Sequence, residues 1–170
     1  MFAPREPETP FQGGGTFFQA DTPDIVVDNV RMAIAEMNAR NYRRSLSPEI
    51  RFRPASAADA GAPTFVGWSI AEEERYFNTM AASATDGAEH QLRLNDLTVS
   101  PVSQDRYTIE GSYVLTVFHS RPEVPREVQG WLLWTLTRDE TGLWRIAEWD
   151  DRQYDGNTPT WSTLKAAFSP

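Results

Sequence analysis

Val26, Val30, Ala33 with Ile34, and Met37 recur three or four residues apart, the spacing of a helix with one buried face. Thr22 and Pro23 supply its N-cap and first helical position, and Asp24 places negative charge where the helix dipole favours it. Asn38 to Asn41 break this helix. A second short helix is predicted over Tyr42 to Leu46, with Pro48 as its stop. Ile50 to Arg53 reads as a first strand and Thr64 to Val66 as a second, with the Ala/Gly/Pro segment between them a loop. Ser69 and Glu72 form a capping box for a middle helix whose apolar stripe is Ile70, Phe77, Met80 with Ala81, and Ala84. Thr85-Asp86-Gly87 ends it.

Four strands are expected after that helix. Leu92 and Leu94 share one parity while Leu97 and Val99 share the other, so a bulge is predicted near Asn95-Asp96. Tyr107, Ile109, Gly111, Tyr113, Leu115 and Val117 alternate with polar residues and define one buried face. Val128, Gly130, Leu132, Trp134 and Leu136 repeat the pattern, with Trp131 and Leu133 on the other side. Residues 138–142 make a hairpin loop in which Gly142 is available for positive φ, and Trp144 to Trp149 form the last strand. Trp161, Leu164 and Phe168 lie on one side of a short closing helix.

Residues 1–21 differ in kind. Pro4, Pro7, Pro10 and Gly13-Gly14-Gly15 predict an extended tether outside a domain spanning 22–170. Phe11, Phe17 and Phe18 are unusual for a solvated linker and are the candidates for docking on the domain or on a partner.

The chain has 170 residues, which suits one domain with a core of its own. Six Trp, nine Phe and five Tyr make much of that core aromatic. A net charge of −8 argues against a nucleic-acid backbone or an anionic membrane surface as partner. The absence of Cys excludes disulfides, thiolate metal sites and thiol nucleophiles. No apolar run approaches the roughly 20 residues of a membrane-spanning helix. Met1 to Pro7 lack the regions of a signal peptide, so the expected place is the cytoplasm, or the periplasmic or cell-envelope side if a leader has been removed.

The order α-α-β-β-α-β-β-β-β, with Gly142-Leu143-Trp144-Arg145-Ile146 on the last hairpin, resembles the nuclear-transport-factor-2-like (cystatin-like) superfamily over roughly residues 22–152. Asn38-Ala39-Arg40-Asn41-Tyr42, joining the first two helices, is also similar to it. Asp28 to Arg31, Trp68 to Phe77 and Trp161 to Lys165 look like uncharacterised bacterial envelope lipoproteins that carry this domain after a tether. Those proteins bear an acylated Cys that this chain lacks. The resemblance implies an α+β fold: a curved antiparallel sheet wrapped on N-terminal helices as a cone, with a short C-terminal helix. Relatives of this kind include ketosteroid isomerases, polyketide cyclases, dehydratases and epoxide hydrolases as well as non-catalytic members, so the fold does not choose a function.

Candidate chemistry is sparse. His90 and His119 are the only histidines, without metal-site spacing, and no metal or cofactor is expected. His119 shares the parity of Tyr113 and Val117 and is a candidate acid or base at a pocket mouth. Glu148 and Asp150 continue the parity of Trp144 and Ile146; a carboxylate against Trp rings has its pKa raised and can act as a general base. Tyr76 and Tyr113 are the candidate proton donors, and Phe77, Tyr113, Trp134 and Trp144 the pocket lining. Glu72-Glu73-Glu74 reads as a charged first helical turn with no role beyond the dipole.

Two functions remain open. One is a non-enzymatic domain, tethered in the envelope, binding a protein partner, a membrane-associated assembly or a small apolar ligand, with a homodimer possible. The other is a small cofactor-free isomerase, cyclase or hydrolase using Asp150, Glu148 or His119 as base with Tyr113 or Tyr76 as donor. A buried carboxylate bonded to a Tyr inside a closed pocket favours the enzyme; an interior filled by Trp and Phe favours the binding domain.

Overall fold

Helix α1 spans Pro23–Ala35, with proline at its first turn and Val26, Val27, Val30, Ala33 and Ile34 on its buried face. A computed structural model describes residues 14–55 and 63–169. Phe11, with the prolines before it, and most of the expected Ala/Gly/Pro loop lie outside those residues. Met37 takes a positive φ of 49° and turns the chain into α2, Ala39–Arg44, which Asn38 caps by accepting the Asn41 N–H at 3.0 Å. That cap starts the helix earlier than the apolar spacing suggests.

Leu46 opens β1, Leu46–Arg53. Pro48 therefore sits in a strand rather than ending a helix, in the stretch between Leu46 and Arg51 where the pairing register breaks. The strand is at the sheet edge, where a missing N–H costs least. The expected strand at Thr64 to Val66 is instead a 3-10 turn over Pro63–Phe65. Gly67, at φ +70°, directs the chain out of it, and the Phe65 ring lies 5.0 Å from Trp68 and 5.4 Å from Phe52.

After the 3-10 turn comes α3, Ile70–Ser83, which begins with the predicted capping box of Ser69 and Glu72. Its buried residues are Glu73, Tyr76, Phe77 and Met80, so the inward stripe includes a carboxylate. Strands β2 (Gln91–Ser103), β3 (Arg106–Thr116), β4 (Glu127–Arg138) and β5 (Trp144–Gln153) follow, and α4 (Trp161–Ala167) closes the fold.

The sheet order is β1-β5-β4-β3-β2; β2 to β5 pair antiparallel and β1 adds parallel to β5. The sheet is thus mixed and open, and the antiparallel expectation holds for β2 to β5. The β2 bulge falls where the parity switch put it, between Asn95 and Thr98, with Asp96 at φ 55°.

A second bulge was not visible in the alternation. Leu136 pairs with Ile146 and Thr135 with Glu148, leaving Ala147 as the extra residue on β5. Trp144 and Ile146 face inward before it, and Trp149 and Asp151 after it. Glu148 and Asp150 consequently belong to the outer face.

Among the described residues, the segment from Gly14 to Ala20 also makes contacts with the domain. Asn41 donates to the Gly14 carbonyl at 2.9 Å, and the Thr16 N–H donates to Glu36 at 2.9 Å. Asn29 clamps Phe18 through both backbone groups, at 2.9 and 2.8 Å, and the Trp144 N–H donates to the Ala20 carbonyl at 2.9 Å. Polar side chains thereby satisfy the backbone of a segment that composition marks as an extended tether. At Gly15, φ is +54° and a Cβ would collide with the Glu36 carboxylate. Because the buried Asn29 supplies two of these bonds, Asn29→Ala should cost about 1–3 kcal/mol. Urea unfolding measures it, and an unchanged midpoint would show that residues 14–20 are not held.

Candidate functional site

Between the helices and the inner face of the sheet, the space where a cone-shaped fold can hold a ligand is occupied by side chains. Tyr42, Tyr76, Phe77, Trp134, Trp149, Trp161 and Lys165 are all fully buried. Trp149 stands edge-on to Trp134 at 5.5 Å and to Trp161 at 4.5 Å, and Phe77 stacks on Tyr42 at 4.3 Å. Helix α4 supplies Trp161 and Lys165, so the last helix acts as a plug. Three of the expected lining residues, Phe77, Tyr113 and Trp134, are inside, packed in the core. Trp144 lies apart from them, against Tyr107 at 5.1 Å and beneath the Ala20 segment.

Two buried carboxylates anchor the polar part of this interior. Glu73 reaches it because α3 places residues 73, 76, 77 and 80 on one face. Its Oε1 accepts from Lys165 Nζ at 2.5 Å and from the Trp68 indole at 3.0 Å; its Oε2 accepts from the Tyr42 hydroxyl at 2.7 Å. Tyr76 donates to Tyr42 at 2.6 Å and accepts from the Trp161 indole at 3.2 Å. Burial, reinforced by the Glu73 charge, raises the phenol pKa of Tyr42 and Tyr76 well above the usual value, so both stay neutral donors.

Asp151 is the second carboxylate. The bulge at Ala147 turns it inward, where Oδ1 accepts from the Tyr113 hydroxyl at 2.6 Å. Oδ2 accepts from the Ser162 N–H at 2.8 Å and from its hydroxyl at 2.5 Å. Tyr113 accepts in turn from the Trp161 N–H at 2.8 Å, and Gly130 leaves room for its hydroxyl. Burial holds the Asp151 carboxyl above the usual carboxylate range, although the bonds from Ser162 and Tyr113 pull it back. Burial and Asp151 together raise the Tyr113 phenol.

Lys165 is the sequence's one lysine; every other Lys or Arg position among the 16 is Arg. Burial lowers its pKa to about 8 despite the opposing pull of Glu73. The ammonium remains the main form at neutral pH. Between pH 8 and the unfolded value of 10.5 the unfolded chain binds more protons at this position than the folded one, so its contribution to stability rises with pH. Above about pH 10 the raised tyrosine pKa values act in reverse, because the unfolded phenols ionise first. Urea midpoints should therefore climb between pH 8 and 10 in the wild type and not in Lys165→Met. A parallel climb in both would assign the effect to another group.

The other residues singled out from sequence lie elsewhere. Asp150 bonds Arg53 at 2.6 Å, and Glu148 lies 3.9 Å from Arg53 and 3.9 Å from Arg106, all on the outer face. His119 is buried rather than placed at a pocket mouth. Its Nε2 donates to the Pro125 carbonyl at 3.1 Å and its Nδ1 accepts from the Arg121 N–H at 3.2 Å, which commits both nitrogens to the 119–126 loop. Phe17 is half-buried, with the Arg44 guanidinium 3.8 Å above its ring, and Phe18 is 52% exposed. Glu73, Asp151 and Lys165 were missed. The signals were Glu73's place on the Tyr76/Phe77/Met80 stripe, and a solitary Lys beside Trp161 and Leu164.

Chemically, a carboxylate against a phenol at 2.6 Å is the pairing that proton transfer next to a carbonyl uses. Here every oxygen of the pair already has an internal partner, and the Trp161 ring packs against Tyr113 at 5.5 Å. Among the described residues, no group of three or more His, Cys, Asp or Glu is placed to hold a metal ion, and no helix is long and apolar enough to cross a membrane.

No family model and no curated protein matches the chain. Solved structures do. A nuclear transport factor 2-like superfamily protein from Salmonella enterica serovar Typhimurium is 13% identical at a TM-score of 0.58, over 78% of this chain and 88% of that one. A protein of unknown function with a cystatin-like fold from Nostoc punctiforme is 12% identical at 0.53, over 79% and 89%. A ketosteroid isomerase-like protein from Erwinia carotovora is 12% identical at 0.56, over 78% and 93%. At such identities the likeness concerns fold alone. This chain has the nuclear-transport-factor-2-like, cystatin-like α+β fold.

Proposed function

We propose that this chain is a non-enzymatic binding or accessory domain, attached in the cell envelope through its N-terminal segment. The observation that supports the reading best is the plugged interior: Lys165 and Trp161 occupy the place a substrate would need, and Glu73 and Asp151 are spent on internal bonds. The 14–20 segment adds to it, because its backbone is fixed to the domain while Phe18 faces solvent. A partner that covers Phe18 would gain roughly 1.5–3 kcal/mol from that ring. The envelope location rests on the resemblance of three segments to envelope lipoproteins.

A photoreactive phenylalanine analogue at Phe18, irradiated in native cells, tests the reading. A discrete covalent adduct with one protein of the envelope fraction is expected. Adduct-free monomer, or recovery from the cytosol only, contradicts it.

The enzymatic reading keeps one specific observation in its favour, the Tyr113–Asp151 bond at 2.6 Å in the interior. It would require α4 to leave before a substrate could enter.

A further inference from the structure

The chain's two histidines hold one loop, residues 117–126, and take no part in the hydrogen bonds around Glu73 and Asp151. His90 Nδ1 accepts the Phe118 N–H at 3.1 Å, and His119 Nδ1 accepts the Arg121 N–H at 3.2 Å. A protonated Nδ1 would point its hydrogen at another N–H, so both rings are held neutral with their one hydrogen on Nε2. For His119 that hydrogen goes to the Pro125 carbonyl at 3.1 Å. Both side chains are buried. Burial holds the His90 pKa below its ordinary value; a bond to the Thr85 backbone opposes the shift and the neighbouring His119 adds to it.

The loop joins the ends of two helices. On one side the Ser120 N–H donates to the Ser83 carbonyl at 3.0 Å, and the Thr85 N–H donates to the Phe118 carbonyl at 2.9 Å, which pins the loop to the end of α3. On the other side the His119 ring stands edge-on to Phe168 at 5.2 Å. Arg121 donates to the Ala167 carbonyl at 2.7 Å and lays its guanidinium 4.7 Å over the Phe168 ring, which is fully buried. The loop therefore covers the last residues of the plug.

We propose that His90 and His119 form an acid-released latch: protonation of the imidazoles frees the 117–126 loop from the end of α3 and uncovers Phe168 at the end of α4. Each proton removes one accepted N–H and places a buried cation beside a loop that already carries Arg121 and Arg126, the latter 3.4 Å from the His119 carbonyl. The acidic groups on the adjoining segments, Asp86, Glu89, Glu123 and Glu127, are all exposed. Among the described residues, neither ring has a carboxylate within ion-pair reach. Residues 76–83 of α3 carry no charge, and the one charged group of α4, Lys165, is paired with Glu73. Because the folded pKa of His90 lies below the ordinary 6.5, the closed loop is fully held above pH 6.5 and weakens as the pH falls through that value. His90 alone makes opening up to about tenfold easier per pH unit there. The latch is independent of any partner at Phe18.

Amide hydrogen exchange of the full chain at pH 7.5 and 5.5, expressed as protection factors, reads the latch directly. The Phe118, Ser120 and Arg121 amides should lose about tenfold in protection at pH 5.5, while Ile109 and Leu132 in the sheet keep theirs. Unchanged loop protection overturns the proposal, as does an equal loss at Ile109 and Leu132, which would mean that the whole domain weakens. The double variant His90→Asn/His119→Asn keeps an acceptor near each Nδ1 position that does not titrate, so its loop protection should not depend on pH. The same acid loss in that variant would assign the effect to carboxylates and overturn the latch. Nitrogen-15 shifts of the wild-type imidazoles need no variant: both rings should be neutral Nε2–H tautomers at pH 7.5. A charged ring or an Nδ1–H tautomer at that pH also overturns the proposal.

Discussion

Glu73→Gln is expected to destabilise the protein by about 3–5 kcal/mol, because it strands the Lys165 ammonium in the interior. Lys165→Met should cost a similar amount, now by stranding the carboxylate. The double variant removes both charges while Gln keeps an acceptor for Tyr42 and Trp68, so it should recover more than half of either loss. This non-additivity separates a desolvated pair from a surface one, which contributes at most about 1 kcal/mol. Urea unfolding of the four chains gives the cycle. Single-variant losses below about 1 kcal/mol would mean that water reaches the Lys165 head and that the interior is not closed.

Trp161→Ala carries the other large effect. Its ring is fully buried against Trp149 and Tyr113, its indole donates to Tyr76, and its backbone N–H donates to the Tyr113 hydroxyl. Removing a core aromatic costs about 3–5 kcal/mol, a large part of the roughly 5–15 kcal/mol that holds a domain folded. The variant should also raise acylation of Lys165, since α4 loses its first anchor. A cost near zero would make α4 a peripheral element and leave the cone open.

The elements that the sequence pattern reached are those that carry a local motif, keep one period, or show its change in the residues themselves. Helix α1, the α3 capping box, the β2 bulge at Asp96 and the alternations of β3 and β4 are of this kind. In β2 the parity change shows in the residues themselves, as Leu92 and Leu94 give way to Leu97 and Val99. In β5 it does not. Trp144, Ile146, Glu148 and Asp150 read as one face, and only Trp149 on the supposed outer side hints that Ala147 is an extra residue. One hidden bulge thereby exchanged Asp150 for Asp151 as the interior carboxylate.

The N-terminal segment and the Glu73–Lys165 pair were hidden for a different reason. Both rest on side chains meeting groups far along the chain, 92 residues apart for the ion pair and 11 for Asn29 with Phe18. Such pairings leave no local period. Pro48 misled in the same way, because its tolerance comes from an edge position that only the sheet order reveals.

The proposed function assigns Asp151 and Tyr113 to support of the fold rather than to chemistry. Steady-state turnover of a β,γ-unsaturated ketosteroid, by the wild type and by Asp151→Asn, tests it most directly. The account predicts rates equal to buffer for both chains, with Asp151→Asn changed only in its Tm. Turnover by the wild type that Asp151→Asn abolishes, while its circular dichroism stays native, would contradict the account and make the Asp151–Tyr113 pair catalytic.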